Sequence, residues 1–187
     1  AKDYVTGLLG PGYTVPTLGS WKTPEEINFD ALPNQFVLKC NHNSGLGMYI
    51  CRDKRALTPK KIRRIRKNLR KGLREDYYLH AREWPYRDIP RRILAEAFLD
   101  GGSSGLTDYK IHNFGGEAKL ILVCRDRFTA SGLTEDFYTP SWELLDLHRP
   151  AHPNSADPLP RPAELEQMMS LSARLSQGIP FVRTDFY

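Results

Sequence analysis

The sequence predicts an α+β fold. Segments 59–74 and about 162–177 carry apolar residues at helical spacing, while several short runs read as strands. The two kinds of element are mixed without strict strand–helix–strand alternation, which argues against a doubly wound parallel sheet. A length of 187 residues suffices for one domain with a real core, or for two lobes of a larger fold.

From Gly7 to Pro33 the chain is rich in Gly, Pro and Thr, with short elements at most. Phe36–Val37–Leu38 follows the turn-like Pro33–Asn34 and predicts a buried strand over 36–41, with a return strand at 47–52. Thr58 and Pro59 supply an N-cap and a first helical position; Ile62, Ile65, Leu69 and Leu73 then form one narrow apolar stripe. Residues 77–91 are aromatic and broken by proline, so a loop with a short helix is expected. RILAEAFL at 92–99 reads as a strand closed by the Gly-Gly-Ser-Ser-Gly turn at 101–105. Strands follow at 107–114, 118–124 and about 134–139. A Pro-rich passage at 150–162 leads into the second helix, with Leu165, Met168, Met169 and Leu175 inward, and Gly178 stops it before a last strand, FVRTDFY.

Hydrophobic residues make up 40% and charged residues 26%, an ordinary globular balance that excludes a disordered chain. No apolar run approaches the roughly 18 residues of a membrane-spanning helix. No signal peptide is evident, and a start at Ala1 rather than Met leaves room for a leader. Cys40, Cys51 and Cys124 lack metal-ligand spacing and sit at the edges of apolar runs, so buried reduced thiols and a cytoplasmic location are expected. The five histidines form no metal set; His148 and His152 are separated by Pro150.

Net charge is +5, and nine cations fall between Lys60 and Arg74. Nucleic-acid binding would need a second basic patch, a stacking platform or zinc spacing, none of which accompanies the run, so no nucleic-acid partner is expected. The plain reading is a solvated helix face; an anionic glycan or lipid-linked substrate is the functional one.

Lys39 ends an apolar run and opens into Asn43, Ser44, Gly45 and Gly47. A rigid cation beside bare loop amides suits a polyphosphate, although an ordinary hairpin with a snorkelling lysine reads the same way. Glu96 lies in an apolar strand, where a carboxylate is costly, and shares its face with Leu94 and Phe98, which favours an inward side chain. Period-two alternation places Arg183 and Asp185 on one strand face, and likewise Asp108 and Lys110. Either an exposed ion-pairing face or a cation site beside an anion fits that spacing.

The order of these features resembles the ATP-grasp fold, and more closely the TupA-like ATP-grasp proteins of teichuronopeptide and cell-surface polysaccharide biosynthesis. The stretches carrying the resemblance are GSWKTPEEINFDALPNQFVLKCNHNSG, REWPYRDIPRRILAEAFL, DYKIHNFGGEAKLI and PFVRTDFY, spread over nearly the whole chain. It implies two α+β lobes gripping ATP: a connecting segment at 1–33, a small lid subdomain at 34–100 and an incomplete C-terminal subdomain at 101–187. By the same resemblance Lys39 holds ATP phosphates, Asn43, Ser44, Gly45 and Gly47 form the phosphate-covering loop, and Glu96 with the backbone of Ala97 and Phe98 meets adenine. Lys110, Arg127 and Arg183 would face the transferred phosphate or substrate, and Asp185 would hold Mg2+.

The implied activity is an ATP-dependent carboxylate–amine ligase acting through an acyl phosphate. Its partners would be ATP, an anionic glycan or amino-acid substrate, and membrane-bound glycan machinery. A non-catalytic ATP-binding or glycan-interaction module, or a polysaccharide-biosynthesis glycosyltransferase, is the alternative. The resemblance also implies a Glu-bearing strand beyond Tyr187 that completes the metal site, and an opening helix that begins upstream of Ala1. On that reading the chain is a fragment trimmed at both ends, and the activity of this exact chain is in question.

Overall fold

The computed structural model describes residues 1–80, 82–102, 105–127, 129–130 and 132–187. Part of the expected turn at 101–105, namely Ser103 and Ser104, and Ala81 of the aromatic segment lie outside them. The chain divides into two compact units, Val15–Phe98 and a second made of Ala1–Thr14 with Leu99–Tyr187. Each is a four-stranded antiparallel sheet with a long helix on one face.

In the Val15–Phe98 unit, β1 (Thr17–Trp21), β2 (Phe36–Cys40), β3 (Tyr49–Cys51) and β4 (Ile93–Ala97) lie in the order β1-β4-β2-β3. Strand alternation sends Phe36, Leu38 and Cys40 of β2, and Ile93 and Ala95 of β4, to one buried face. There they meet Ile65 and Leu69 of a 16-residue helix, Pro59–Arg74, with Ile27, Phe29 and Leu32 closing the core. The Thr58 side chain accepts from the Lys61 amide, so the helix begins where the sequence placed it. The aromatic segment folds as two short 3-10 turns, Tyr77–Leu79 and Trp84–Tyr86.

In the second unit, β5 (Asp108–Phe114), β6 (Glu117–Arg125), β7 (Thr134–Tyr138) and β8 (Phe181–Phe186) lie in the order β7-β6-β5-β8. Ile111, Ile121, Val123 and Tyr138 form the face covered by the helix Leu165–Ser176 through Leu165 and Met168. We call the N-terminal helix Lys2–Leu9 α1, and the helices at Pro59–Arg74 and Leu165–Ser176 α2 and α3. The Tyr4 hydroxyl of α1 donates to the Leu175 carbonyl of α3 at 3.0 Å. A buried polar stitch crosses this core: Ser172 Oγ lies 2.9 Å from Asn113 Oδ1 and 2.7 Å from Thr184 Oγ1. All three cysteines are free and buried. Among the described residues no helix is long and apolar enough to cross a membrane.

Candidate nucleotide site

Each sheet carries its candidate site lysine and the carboxylates beside it on the face opposite its helix. In the Val15–Phe98 unit, β2 and β4 pair so that Val37 faces Glu96 and Lys39 faces Leu94. Lys39 and Glu96 are therefore diagonal neighbours on one face, within reach of long side chains. The Lys39 ammonium lies 2.5 Å from the Glu96 carboxylate; the Lys39 side chain is 42% exposed and that of Glu96 only 7%. Glu96 is thus buried, but on the face turned away from the core that Ile93 and Ala95 join, and not towards that core as its apolar neighbours suggest; strand alternation leaves it beside Lys39.

The loop after Lys39 is held on one side and open on the other. Asn43 Nδ2 donates to the Gly72 carbonyl of α2 at 3.1 Å. Gly47, at φ +68°, abuts α2 so closely that a Cβ on Gly72 would stand 2.8 Å from Gly47 Cα. Two glycines face each other because no side chain fits between loop and helix. Ser44 and Gly45 form the exposed tip, and a Cβ on Gly45 would meet nothing within 4 Å. His42 is buried instead; burial, and then the charge of Arg91, lower its pKa, keeping the ring neutral. The Ala97 amide donates to the Pro16 carbonyl at 3.0 Å, and half-buried Phe98 lies under the Arg52 guanidinium, 5.1 Å from its ring centre.

In the second unit the β5–β8 register sets Lys110 opposite Asp185 and His112 opposite Arg183. Lys110 Nζ lies 2.5 Å from Asp108 and 2.8 Å from Asp185, and Arg183 grips Asp185 at 2.7 and 2.9 Å. Burial opposes the charge on Lys110, but its hydrogen bonds to two carboxylates outweigh that and raise its pKa. Burial likewise works against the Asp185 anion, and Arg183 with Lys110 overcomes it, leaving its pKa lowered. Asp108 goes the other way: burial raises its pKa more than Lys110 lowers it. Its Oδ1 is buried with no hydrogen-bond partner among the described residues. Arg127 is exposed, and its charge acts on Asp108 without forming an ion pair.

The structure therefore brings Lys39 together with Glu96, and Lys110 with Arg183 and Asp185, while Arg127 stands apart from the second array. Asp108 is the member not singled out as a site residue from the sequence. The signal was its alternation with Lys110; its unpartnered oxygen appears only in the fold.

Residues 1–187 match the family described as TupA-like ATPgrasp. The chain belongs to that family. The ATP-grasp family binds ATP, generally with Mg2+, and its type of activity is ligation. No curated protein and no solved structure matches the chain. As a TupA-like ATP-grasp protein it presents, among the described residues, an α+β architecture of two antiparallel sheets and three α-helices, in agreement with the fold class the resemblance implied.

The donors in the Lys110 array suit the family's metal. Mg2+ takes hard oxygen ligands and commonly only one or two carboxylates, its other positions going to phosphate and water. Asp185 and the unpartnered oxygen of Asp108 are of that kind. Among the described residues no three His, Cys, Asp or Glu side chains gather as a closed cage.

Proposed function

We propose that this chain belongs to an ATP-dependent carboxylate–amine ligase that works through an acyl phosphate and serves cell-surface polysaccharide biosynthesis. The observation that supports it most is Lys110 held between Asp108 and Asp185, with Arg183 alongside, on a sheet face turned away from the core helix. In such a reaction the γ-phosphoryl group passes from ATP to a substrate carboxylate and ADP leaves. An amine then attacks the acyl carbon, phosphate departs, and an amide bond remains. Little covalent chemistry is asked of the protein; positioning and charge compensation supply most of the rate.

Lys110 suits that task because its neighbours keep it protonated and fix its position. Arg183 is anchored through Asp185 and adds a second cation, and Arg127 a third. In the other unit, Lys39 and the loop of Asn43, Ser44, Gly45 and Gly47 would take the ATP phosphates, the amides of exposed Ser44 and Gly45 foremost. Glu96, with the backbone of Ala97 and Phe98, would border adenine. Ala97 offers its carbonyl rather than its amide, which Pro16 occupies. Asp185, joined by Asp108, would hold Mg2+. When bound, the metal would draw charge off the phosphate oxygens.

The test is ADP release from ATP and Mg2+ in the presence of candidate uronic acids and amino acids. Release that depends on both a carboxylate and an amine is expected. ATP binding without such turnover would leave a nucleotide-binding module and remove the ligase.

A further inference from the structure

We infer that the solvent-facing stripe of α2 docks the protein on an anionic lipid bilayer. The inference is independent of the ligase reading. Of the nine cations between Lys60 and Arg74, three are engaged within the unit, among them Lys61, whose ammonium lies 6.0 Å from the Tyr49 ring centre. Arg66 donates to the Pro24 and Ile27 carbonyls, and Arg70 pairs with Glu25. At 100° per residue, Lys60, Arg63, Arg64, Lys67, Lys71 and Arg74 fall within an arc roughly 100° wide and about 21 Å long. That arc lies opposite the buried Ile65 and Leu69. None of these six forms an ion pair with a described residue, and α2 contains no Asp or Glu.

The charge is also segregated. Within its own unit, Val15–Phe98, α2 carries nine cations and no acid, while the other residues carry nine cations and nine acids. The net positive charge of the unit therefore lies on this helix, which directs an anionic surface to it. The first turn of α2 holds Lys60 and Lys61 and no acid, although the positive end of the helix dipole disfavours cations there. Helix stability does not account for that placement.

A planar leaflet fits this row better than a long polyanion does. The cations stand on the crest of a single helix, and among the described residues of the Val15–Phe98 unit no second α-helix stands beside it to form a basic wall. Apolar side chains accompany them: Met48, 46% exposed, lines the same hollow as Lys71. A second hollow of about 440 Å3 lies among Lys67, Arg70, Lys71, Arg74 and Glu75, where four cations against one carboxylate leave a net positive lining for a phosphate headgroup. Basic residues flanked by exposed apolar ones are the composition of interfacial membrane contacts.

The experiment is co-sedimentation with vesicles of phosphatidylcholine alone, and with one lipid in three replaced by phosphatidylglycerol. The protein should sediment with the anionic vesicles only, and progressively less as salt rises. Each cation at an anionic leaflet strengthens binding roughly five-fold, so Lys60→Gln, Lys67→Gln and Lys71→Gln together should weaken it on the order of 100-fold. Lys22→Gln, Lys119→Gln and Arg161→Gln remove the same charge elsewhere on the surface and should change it by less than about three-fold. Glutamine is as good a helix former as lysine, so the stripe variant keeps α2. Equal loss in both triple variants would reduce the effect to net charge and overturn the proposal. So would failure to sediment with anionic vesicles, or tighter binding to duplex DNA or a soluble polyuronate at equal anion concentration.

Discussion

The two units solve one problem in opposite ways. Each sets a lysine on a sheet face beside acidic partners, one carboxylate in the first unit and two in the second. In the Val15–Phe98 unit the acid is buried and the base exposed, Glu96 at 7% and Lys39 at 42% by side chain. In the second unit the base is partly covered as well, Lys110 at 14% between Asp108 at 11% and Asp185 at 27% by side chain. A lysine with one partner and open water can swing away to a ligand. A lysine clamped between two anions stays where it is. The first arrangement suits a cation that follows a mobile phosphate, the second a cation that marks one position.

Removing each lysine should therefore cost different things. Lys110→Met leaves Asp108 without its paired cation and Asp185 with Arg183 alone, and breaking a buried ion pair costs about 3–5 kcal/mol. The residual exposure of the array lowers that to about 2–3 kcal/mol in a urea denaturation series. Lys39→Met removes a half-exposed ammonium, and about 1 kcal/mol is expected. In the ADP-release assay Lys110→Met should act mainly on kcat and Lys39→Met mainly on the KM for ATP. Equal losses of stability in the two variants would erase the contrast.

Which parts of this were legible in the sequence follows from the range of the interactions. The helix Pro59–Arg74 could be read outright, because its cap, its proline and its apolar stripe are all local signals. Strand positions were also clear; ends drifted by a residue or two, as in Tyr49–Cys51 against the expected 47–52. The β1 strand, Thr17–Trp21, was hidden, since TLGSW carries a glycine and becomes a strand only by pairing with β4. Alternation placed Arg183 with Asp185 and Asp108 with Lys110, but it could not say that the two pairs would meet. That depends on the β5–β8 register, set by residues some 75 positions apart. Gly47 read as a phosphate-loop glycine; its contact with Gly72 is a tertiary fact that no local pattern announces.

The helices also dock differently, which gives a sharper comparison at smaller effect. α2 meets its unit's loop through Gly72, whereas α3 meets its sheet through the Ser172 hydroxyl. Ser172→Ala strands Asn113 and Thr184 in a buried site, with an expected loss of about 1–3 kcal/mol and no new clash. Gly72→Ala forces a methyl against the Gly47 backbone, a strain of about 1–3 kcal/mol. Better helix propensity returns roughly 1 kcal/mol of it. Its net loss should be the smaller of the two, yet it alone should displace the loop and weaken ATP binding. Ser172→Ala weakening ATP binding equally would mean that loop docking has no special part.

The smallest effect is a slope with pH, and here the units should behave alike. His42 in one unit and His112 in the other have lowered pKa values, in both cases first through burial and then through an arginine, Arg91 or Arg183. A histidine whose folded pKa lies below its ordinary value of about 6.5 binds fewer protons folded than unfolded. Stability is then full above that ordinary value and drains away as pH falls through it towards the folded pKa. Asp185, also lowered, contributes in the same sense, but only below the ordinary carboxylate range of about 4. The raised Asp108 opposes the decline from that range upward to its own folded pKa, and as it is common to the parent and both histidine variants it cancels when their slopes are compared. Urea midpoints measured at pH 7, 6 and 5 should decline, and His42→Asn and His112→Asn should each flatten the decline, whatever either does to the level at pH 7. A decline left intact in His112→Asn would mean that the Lys110–Asp185–Arg183 face is open enough to water for its histidine to titrate freely, and the clamped character assigned to that lysine would fall with it.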